Sequence, residues 1–462
     1  MAATTEALRW CPVVGVWAAA IAVTPDWRIR SALVLPAVLV PLAWWTIGRA
    51  GQWPVLFLCA ALLLPPLPIA LGDSGPHPAL AIAALGLVAG AIRPGGWRGR
   101  IRPVEVWLVI YALVLAGGAA LAGLYSGPRI GALSLARAGL FAISIYLYFY
   151  VAHGPGAPAR DAGFRTARVL FFAGAVSAAF ACVDFYFQFP TPAGFGPQFV
   201  WLASDVYRRA QGVFYEASTL GNVCAFFLVM AAVSLARPRS DGPLSRPLAL
   251  AGAAAFSAAL MLSFSRASLL NLAAAGAALV YLHRERLRMG RLALVFIAVA
   301  AAASAVVYWA LPEITEYYWV RLWGSTEIAA TGSVGILSGR IENWSHLLGF
   351  LADHPWHAIL GVGYKTLPYT NIAGRPVIAD NAYLSALVET GLVGLAAMLL
   401  LNVAVLRLAF GAARSSNARV SWFGTCVACF WTGQIVQMLS GDLLTYWRVL
   451  PLYFWALAEA RE

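Results

Sequence analysis

Long apolar runs alternate with short polar segments along the whole chain. A membrane-spanning helix needs about 20 mostly apolar residues, and runs of this kind centre on residues 11–24, 31–47, 53–71, 78–92, 104–124, 131–152, 167–188, 219–236, 247–263, 267–283, 292–311, 393–411, 421–440 and 444–459. Several runs are short or adjoin one another, so the pattern predicts about 12 to 14 transmembrane helices. Pro65, Pro66 and Pro68 interrupt the third run and predict a broken helix there.

The composition agrees with this pattern. Of the 462 residues, 61% are hydrophobic and only 11% are charged, and a soluble domain of this length carries more charge. The sequence therefore predicts an all-α, polytopic membrane protein. No long soluble segment separates the runs, so we expect residues 1–462 to form a single integral membrane domain. The first run follows a nearly uncharged start, which indicates a retained span rather than a cleaved signal peptide.

The arginines predict how the spans are oriented. They cluster in five polar segments, namely Arg93, Arg98, Arg100 and Arg102; Arg160, Arg165 and Arg168; Arg237, Arg239 and Arg246; Arg284, Arg286, Arg288 and Arg291; and Arg414 and Arg419. With fourteen spans, all five segments lie on the side of the N-terminus. Short basic loops mark the cytoplasm, so both termini are predicted to be cytoplasmic. The net charge of +12 then reflects membrane topology and not nucleic-acid binding.

Two longer polar segments, at residues 190–218 and 312–380, fall on the opposite face. The second is predicted to be a large extracytoplasmic loop with room for folded structure. Within it, the spacing of polar and apolar residues from Arg340 to Asp353 indicates an amphipathic helix, and "GVGY" and "IAGRP" indicate turns.

Cations gather on this outer face, where the positive-inside rule leaves arginine rare. They are Arg129, Arg137, Arg208, Arg209, Arg266, Arg340 and the only lysine, Lys365. Arg137 lies about two turns inside its predicted span, and an intramembrane arginine usually faces a cavity or a partner. Such a cluster suits a phosphate or pyrophosphate at headgroup level, and Ser263, Ser265 and Ser268 beside Arg266 could add hydrogen bonds to it. Alternatively, these cations extend to the interface or pair with nearby carboxylates such as Asp184, Asp205 and Glu216.

Carboxylates accompany the cations at Glu216, Glu342, Asp380, Glu389 and Asp442. Asp380 precedes an apolar helix, so it is predicted either to cap that helix or to cap it and also face the site. Glu389, further along the same helix, could pack against an arginine. The histidines of the outer loop have no carboxylate at metal-ligand spacing, so no metal site is expected. Cys426 and Cys429 have CxxC spacing inside an apolar run, which indicates helix packing.

Several stretches resemble the O-antigen ligase and polymerase superfamily, the membrane glycosyltransferases of WaaL and Wzy type. They are "SFSRASLL", then "SGRIENWSHLLGFLADHPWHAILGVGY" in the outer loop, then "DNAYLSALVETGLVGL". "GVFYEASTLGN" is similar to the segment before a middle span of those proteins, and the resemblance covers about residues 205–410. It implies a GT-C-like helical fold, a glycan donor carried on undecaprenyl pyrophosphate, and no nucleotide sugar, metal or other cofactor. It also implies arginines that hold the pyrophosphate, and Arg266 and Arg340 match them by position.

One position departs from the family pattern. Ligases of the family commonly carry a histidine just before the asparagine of an "HNxYL"-like motif, whereas Asp380 precedes Asn381 in this chain. The difference puts a histidine-based ligase mechanism in doubt. An aspartate–asparagine pair is at least as compatible with a polymerase of lipopolysaccharide or exopolysaccharide chains.

The predicted function is therefore an inverting glycosyl transfer on the periplasmic face of the bacterial inner membrane. A hydroxyl of a glycan or lipid-linked acceptor attacks the first sugar of the donor, and undecaprenyl pyrophosphate leaves. Arg266 and Arg340, together with Arg137 and Arg209, would stabilise the departing charge. Asp380 is the predicted general base, with Glu216 in reserve.

Two other classes of function remain open. A flippase or other transporter of lipid-linked glycans would show two repeated halves and charges midway through its spans, and the sequence shows no such repeat. A structural or assembly protein would not be expected to gather arginines on one face.

Overall fold

The computed structural model describes residues 16–20, 22–25, 41, 50–67, 76–93, 97, 99–154, 162–192, 194–202, 205–238, 241–284 and 340–461. The predicted spans at 11–24, 31–47 and 292–311 lie partly or wholly outside these residues, as do residues 312–339 of the predicted outer loop. The total of 12 to 14 spans and the GT-C-like arrangement therefore stay predictions.

The described chain is almost entirely helical. Its helices are α1 (Trp53–Leu63), α2 (Pro78–Ala91), α3 (Pro103–Ser126), α4 (Pro128–His153), α5 (Ala162–Phe187), α6 (Ala217–Ala236), α7 (Arg246–Leu262), α8 (Arg266–His283), α9 (Arg340–Asp353), α10 (Pro355–Leu360), α11 (Ala382–Ala413), α12 (Ala418–Gln437) and α13 (Leu450–Glu459). Among the described residues, α3, α4, α5, α6 and α11 are long and apolar enough to cross a membrane. The prediction of a polytopic all-α membrane protein is confirmed. One antiparallel hairpin, β1 (Phe199–Leu202) and β2 (Asp205–Arg208), was not predicted.

The third apolar run does not continue as a single helix. Helix α1 ends at Leu63, just before Pro65 and Pro66, because proline cannot donate the next helical hydrogen bond. Its 11 residues extend about 16 Å, which is too short to cross a bilayer. The carbonyl oxygens of Ala61 and Leu64 accept hydrogen bonds of 2.9 Å from the buried Arg448 instead. An arginine from the far end of the chain thus satisfies the broken end of α1.

The connection between the last two predicted spans is longer than the hydropathy pattern indicates. Helix α12 ends at Gln437 and α13 begins at Leu450, so residues 438–449 lie between them. These residues, which we name the site turn, contain two 3-10 turns, Met438–Ser440 and Leu443–Thr445. The predicted spans at 421–440 and 444–459 left only three residues for this connection, because the leucines of the turn look like membrane helix.

Helix α11 is broken at Gly391, which has φ 71° and ψ −173°. The break leaves the carbonyl oxygens of Val388 and Glu389 outside the helical pattern, and they accept hydrogen bonds from the amides of Val362 (2.9 Å) and Gly363 (3.0 Å). A Cβ atom at position 391 would lie 2.1 Å from the Ile359 carbonyl oxygen. Glycine is therefore required there by both its φ angle and the close approach of the chain.

Residues 361–366, which we name the inserted loop, lie against three helices. The Tyr364 amide donates to the carbonyl of Gly118 in α3 (3.0 Å), and the Ser134 hydroxyl in α4 donates to the carbonyl of Tyr364 (2.6 Å). The break in α11 forms the third wall. The predicted "GVGY" turn is thus part of a loop that enters the helix bundle.

The predicted amphipathic helix at 340–353 is confirmed as α9. Its buried face, Leu347 and Leu351, packs against a small apolar cluster made of Val362, Leu367, Ala373, Val377, Ala379, Leu384 and Val388. This cluster packs α9, which we name the outer element, against the first half of α11.

The basic loop ends meet at one end of the bundle. Glu105 Oε1, at the start of α3, lies 3.0 Å from His153 Nε2 at the end of α4 and 3.1 Å from Arg461 Nη1 after α13. Arg419 and Glu459 pair at 2.5 Å between the start of α12 and the end of α13. The inserted loop and the site turn lie at the opposite ends of these same helices. The described parts of the basic loops therefore share a face, as the charge pattern predicts.

Candidate active site

The site turn contacts three separate parts of the chain. The Ser440 hydroxyl accepts a hydrogen bond of 3.2 Å from Arg340 Nη1. The Asp442 carboxylate pairs with the ammonium of Lys365, and the Tyr446 hydroxyl donates to the carboxylate of Glu216. The outer element, the inserted loop and the start of α6 are thereby joined into one constellation at the end of the bundle.

Asp380 pairs with Arg340 and does not cap a helix. Its Oδ2 lies 3.3 Å from Arg340 Nε, and 47% of its side chain is exposed. The cap of α11 is Asn381, whose Oδ1 accepts from the amides of Tyr383 (3.0 Å) and Leu384 (3.1 Å). The prediction that Asp380 serves as the N-cap is therefore wrong, because the neighbouring amide satisfies those donors. The Asp380 carboxylate is left to face the site.

Unusual backbone conformations concentrate around these residues. Five described residues other than glycine have positive φ angles, namely Gln188, Tyr215, Phe264, Lys365 and Asp380. Tyr215 precedes Glu216, and Phe264 lies two residues before Arg266. A positive φ costs about 1–3 kcal/mol in such residues and persists where the surroundings impose it, often at functional sites. Four of the five therefore mark the same constellation.

Glu216 is partly buried immediately before the first residue of α6. Its Oε2 accepts from the Thr219 hydroxyl at 2.6 Å, in addition to the Tyr446 hydroxyl. Burial raises the pKa of Glu216, and the hydrogen bonds and the charges of Arg209 and Lys365 only partly oppose that rise. A raised pKa makes a carboxylate a stronger proton acceptor near neutral pH.

Arg209 and Arg266 are linked by the turn that precedes α8. The Arg209 Nε atom donates to the Ser263 carbonyl at 2.8 Å, and Arg266 begins α8 three residues later. Ser263, Ser265 and Ser268 are buried, and Ser265 and Ser268 bond to each other at 2.8 Å. These serines therefore build the turn beneath Arg266, and their burial argues against the expectation that they add hydrogen bonds to a phosphate.

Arg137 faces the inserted loop. Its Nη1 donates to the Lys365 carbonyl at 3.4 Å, and its guanidinium lies 4.2 Å from the centre of the Tyr369 ring, a cation–π distance. Arg208, another outer-face cation, pairs with Asp184 at 3.6 Å. The alternative of a nearby carboxylate partner thus applies to Arg208, whereas Arg137 contacts a neighbour of the site.

Lys365 and Asp442 were counted among the outer-face charges, but neither they nor Tyr446 were assigned a role at the site. Glu389 was expected to pack against an arginine. Its carboxylate instead accepts hydrogen bonds from the backbone amides of Lys365 and Leu367, and its electrostatic partner is the Lys365 ammonium. A carboxylate inside an apolar run, as in "SGDLL", is the one sequence signal that could have singled out Asp442. Tyr446 carries no such signal.

The contacts thus connect most of the predicted site. Arg340, with its partner Asp380, and Glu216 both contact the site turn. The charge of Arg209 lowers the pKa of Glu216. Arg209 also donates a hydrogen bond to the turn that precedes Arg266. In the described part of the chain, no group of three or more His, Cys, Asp or Glu residues is placed to hold a metal ion. The described cations of this constellation are Arg340, Arg209, Arg266 and Lys365.

Comparison with known proteins bears on this constellation. Residues 251–399 match the model of a protein family described as O-antigen ligase, and a search of curated proteins finds no match. The matched range includes Arg266, Arg340, Lys365 and Asp380, while Glu216 and the site turn lie outside it. The match supports, over residues 251–399, the resemblance of the motifs to the O-antigen ligase and polymerase superfamily.

Proposed function

We propose that the protein is an inverting membrane glycosyltransferase that moves a glycan from undecaprenyl pyrophosphate to an acceptor glycan. The observation that carries this proposal is the meeting of Arg340, Asp380 and Glu216 on the site turn, within and beside the matched segment. We further propose that it extends a surface polysaccharide rather than joining a glycan to lipid A–core, because Asp380 stands where family ligases commonly carry histidine.

The proposed reaction is a single displacement at the anomeric carbon of the donor. The acceptor oxygen forms the new glycosidic bond while the bond from that carbon to the pyrophosphate oxygen breaks, and the electron pair leaves with undecaprenyl pyrophosphate. The acceptor proton passes to a carboxylate. Because the leaving group is already activated, the protein mainly positions the reactants and stabilises the departing charge. Arg266 and Arg340, with Arg137 and Arg209, would supply that stabilisation.

Asp380 is the proposed base, and its contact with Arg340 suggests how it is released. A pyrophosphate is a stronger partner for a guanidinium than one carboxylate. When the donor binds Arg340, the Asp380 carboxylate would be released from its ion pair to accept the acceptor proton. Glu216, held by Thr219 and Tyr446, is the reserve candidate.

The proposed location is the bacterial inner membrane, with the site on the periplasmic face and the basic loop ends in the cytoplasm. In spheroplasts, we expect a cysteine introduced at the exposed Asn371 to react with a membrane-impermeant thiol reagent. A cysteine at the exposed Ser416, beside the basic Arg414, should react only after lysis. The unaltered protein measures the background from its own cysteines. The reverse labelling pattern would place the site in the cytoplasm.

Transfer itself can be tested with purified protein in liposomes. Given an undecaprenyl-pyrophosphate-linked glycan and an acceptor glycan, the protein should produce a longer glycan and free undecaprenyl pyrophosphate. The reaction should continue in excess EDTA, since arginines take the place of a metal ion. A flippase would instead move the lipid-linked glycan across the bilayer and form no new glycosidic bond. Movement without transfer would therefore refute the glycosyltransferase.

A further inference from the structure

The chain's only lysine lies in an unusually constrained place. Lys365 follows the part of the inserted loop that contacts α3, α4 and α11, and its own φ is +56°. Its side chain is 15% exposed and that of its partner Asp442 is 21% exposed. The ion pair is thus mostly enclosed but still reaches the open side of the site.

The approach of the loop is possible only because of its glycines. A Cβ atom at Gly361 would lie 2.4 Å from the Glu389 carbonyl oxygen, and one at Gly363 would lie 2.5 Å from the Cα atom of Ala122. Both residues also have positive φ angles, 82° and 114°. The backbone around Lys365 is therefore fixed by contacts with neighbouring helices, which positions the Lys365 ammonium beside Asp442.

Several charged or titratable groups surround that ammonium. They are Asp442 in the site turn, Glu389 in α11, Arg137 in α4 and Glu216 at the start of α6. Burial alone would lower the pKa of Lys365, but the negative charges of Asp442 and Glu389 outweigh burial and raise that pKa. Lys365 thus remains charged. Enclosed ion pairs add little to stability because of their desolvation cost, so this one is poorly explained as a stabilising contact alone.

The place of Asp442 in the site turn suggests another role. Two residues before it, Ser440 accepts from Arg340; four residues after it, Tyr446 donates to Glu216. Anchoring Asp442 therefore limits the movement of both contacts. Lys365 is the cation that anchors it, and it arrives on a loop from a different part of the chain.

We propose that the Lys365–Asp442 ion pair is a positioning device of the transfer site, which holds the site turn so that Ser440 and Tyr446 keep Arg340 and Glu216 in place. This proposal rests on the proposed glycosyl transfer. Lys365 and Asp442 act through Arg340 and Glu216, and they do not themselves take part in the displacement.

The test compares the double variant Lys365→Met/Asp442→Leu with the unaltered protein. Removing both charges leaves neither member of the pair as an unpaired ion, and the Glu389 carboxylate keeps its two backbone amide donors. Protein yield and thermal stability should therefore stay close to those of the unaltered protein. The value of kcat should nevertheless fall by about 10- to 100-fold, with a much smaller change in the KM for the lipid-linked donor. A purely structural pair predicts the reverse, namely full kcat in the double variant.

A matched control exists at the far ends of the two helices that the site turn connects. The pair Arg419–Glu459 joins α12 and α13 at the end remote from the site turn. The double variant Arg419→Met/Glu459→Leu likewise removes one cation and one carboxylate. It should leave kcat unchanged if the effect of the Lys365–Asp442 change is specific to the site.

A single isosteric variant covers the case in which the double variant cannot be purified. Asp442→Asn keeps the shape of the side chain but removes its charge, and we expect the same selective fall in kcat. Unchanged kcat in Asp442→Asn, or in the double variant, overturns the positioning role. Failure of the proposed function is a different result, because then the unaltered protein would itself form no new glycosidic bond.

Discussion

Asp380→Asn is expected to abolish glycan transfer while leaving the amount of membrane-inserted protein unchanged. Asparagine has the same shape as aspartate but cannot accept the acceptor proton. The cap of α11 does not depend on this position, because the Asn381 side chain supplies both of its hydrogen bonds. A loss of activity could therefore not be assigned to a lost cap. The measurement is transfer from a purified lipid-linked glycan, normalised to protein in the membrane.

A control carboxylate lies on α9, the helix that begins with Arg340. Glu342, in the first turn of α9, has a side chain that is 74% exposed and lies 3.8 Å from Arg375. Because an exposed ion pair of this kind contributes little, Glu342→Gln should retain nearly full transfer. If Asp380→Asn were equally active, the role of base would pass to Glu216. In that case the rate should rise with pH through a pKa above the usual glutamate range, since burial raises the pKa of Glu216.

Arg266→Ala is expected to lose nearly all transfer, and Arg266→Lys to keep only a small part of it. Lysine restores the charge but not the planar, two-pronged contact that a guanidinium makes with a pyrophosphate. Losing a charged hydrogen bond of about 1.5–3 kcal/mol from the transition state slows a reaction by roughly ten- to more than a hundredfold. Both variants should still fold, because the buried serines and the bond from Arg209 maintain the turn.

Arg129 provides the comparison for Arg266. It is exposed in the first turn of α4, on the same predicted outer face. Its replacement by lysine or alanine should have little effect on transfer. Equal rates for Arg266→Lys and the unaltered protein would mean that Arg266 only extends its charge to the membrane interface, and the pyrophosphate contact would then be discarded.

The sequence was most informative where the signal is local. Hydrophobicity and helical length are properties of consecutive residues, so the apolar runs at 104–124, 131–152, 167–188 and 219–236 predicted α3, α4, α5 and α6 closely. The amphipathic pattern from Arg340 to Asp353 was local in the same sense, and α9 has those bounds. The family motifs were also local, and the match at residues 251–399 agrees with them.

The site turn shows where local signals fail. Its leucines have the composition of a membrane helix, and the 3-10 turns they form depend on what contacts Asp442 and Ser440. Those partners, Lys365 and Arg340, lie 77 and 100 residues away in the chain. No window of neighbouring residues contains both members of either contact.

Asp380 and Asn381 make the same point at the scale of two residues. Both side chains are good helix caps, so sequence alone could not decide which one caps α11 and which one faces the site. The structure decides it through the break at Gly391 and the packing of α9, which bring Arg340 to Asp380. The sequence by itself determined an all-α membrane protein, its outer cations and its family motifs, because these follow from residue type and spacing. Only the tertiary structure decided which of those charges meet, because each pairing joins segments that are distant along the chain.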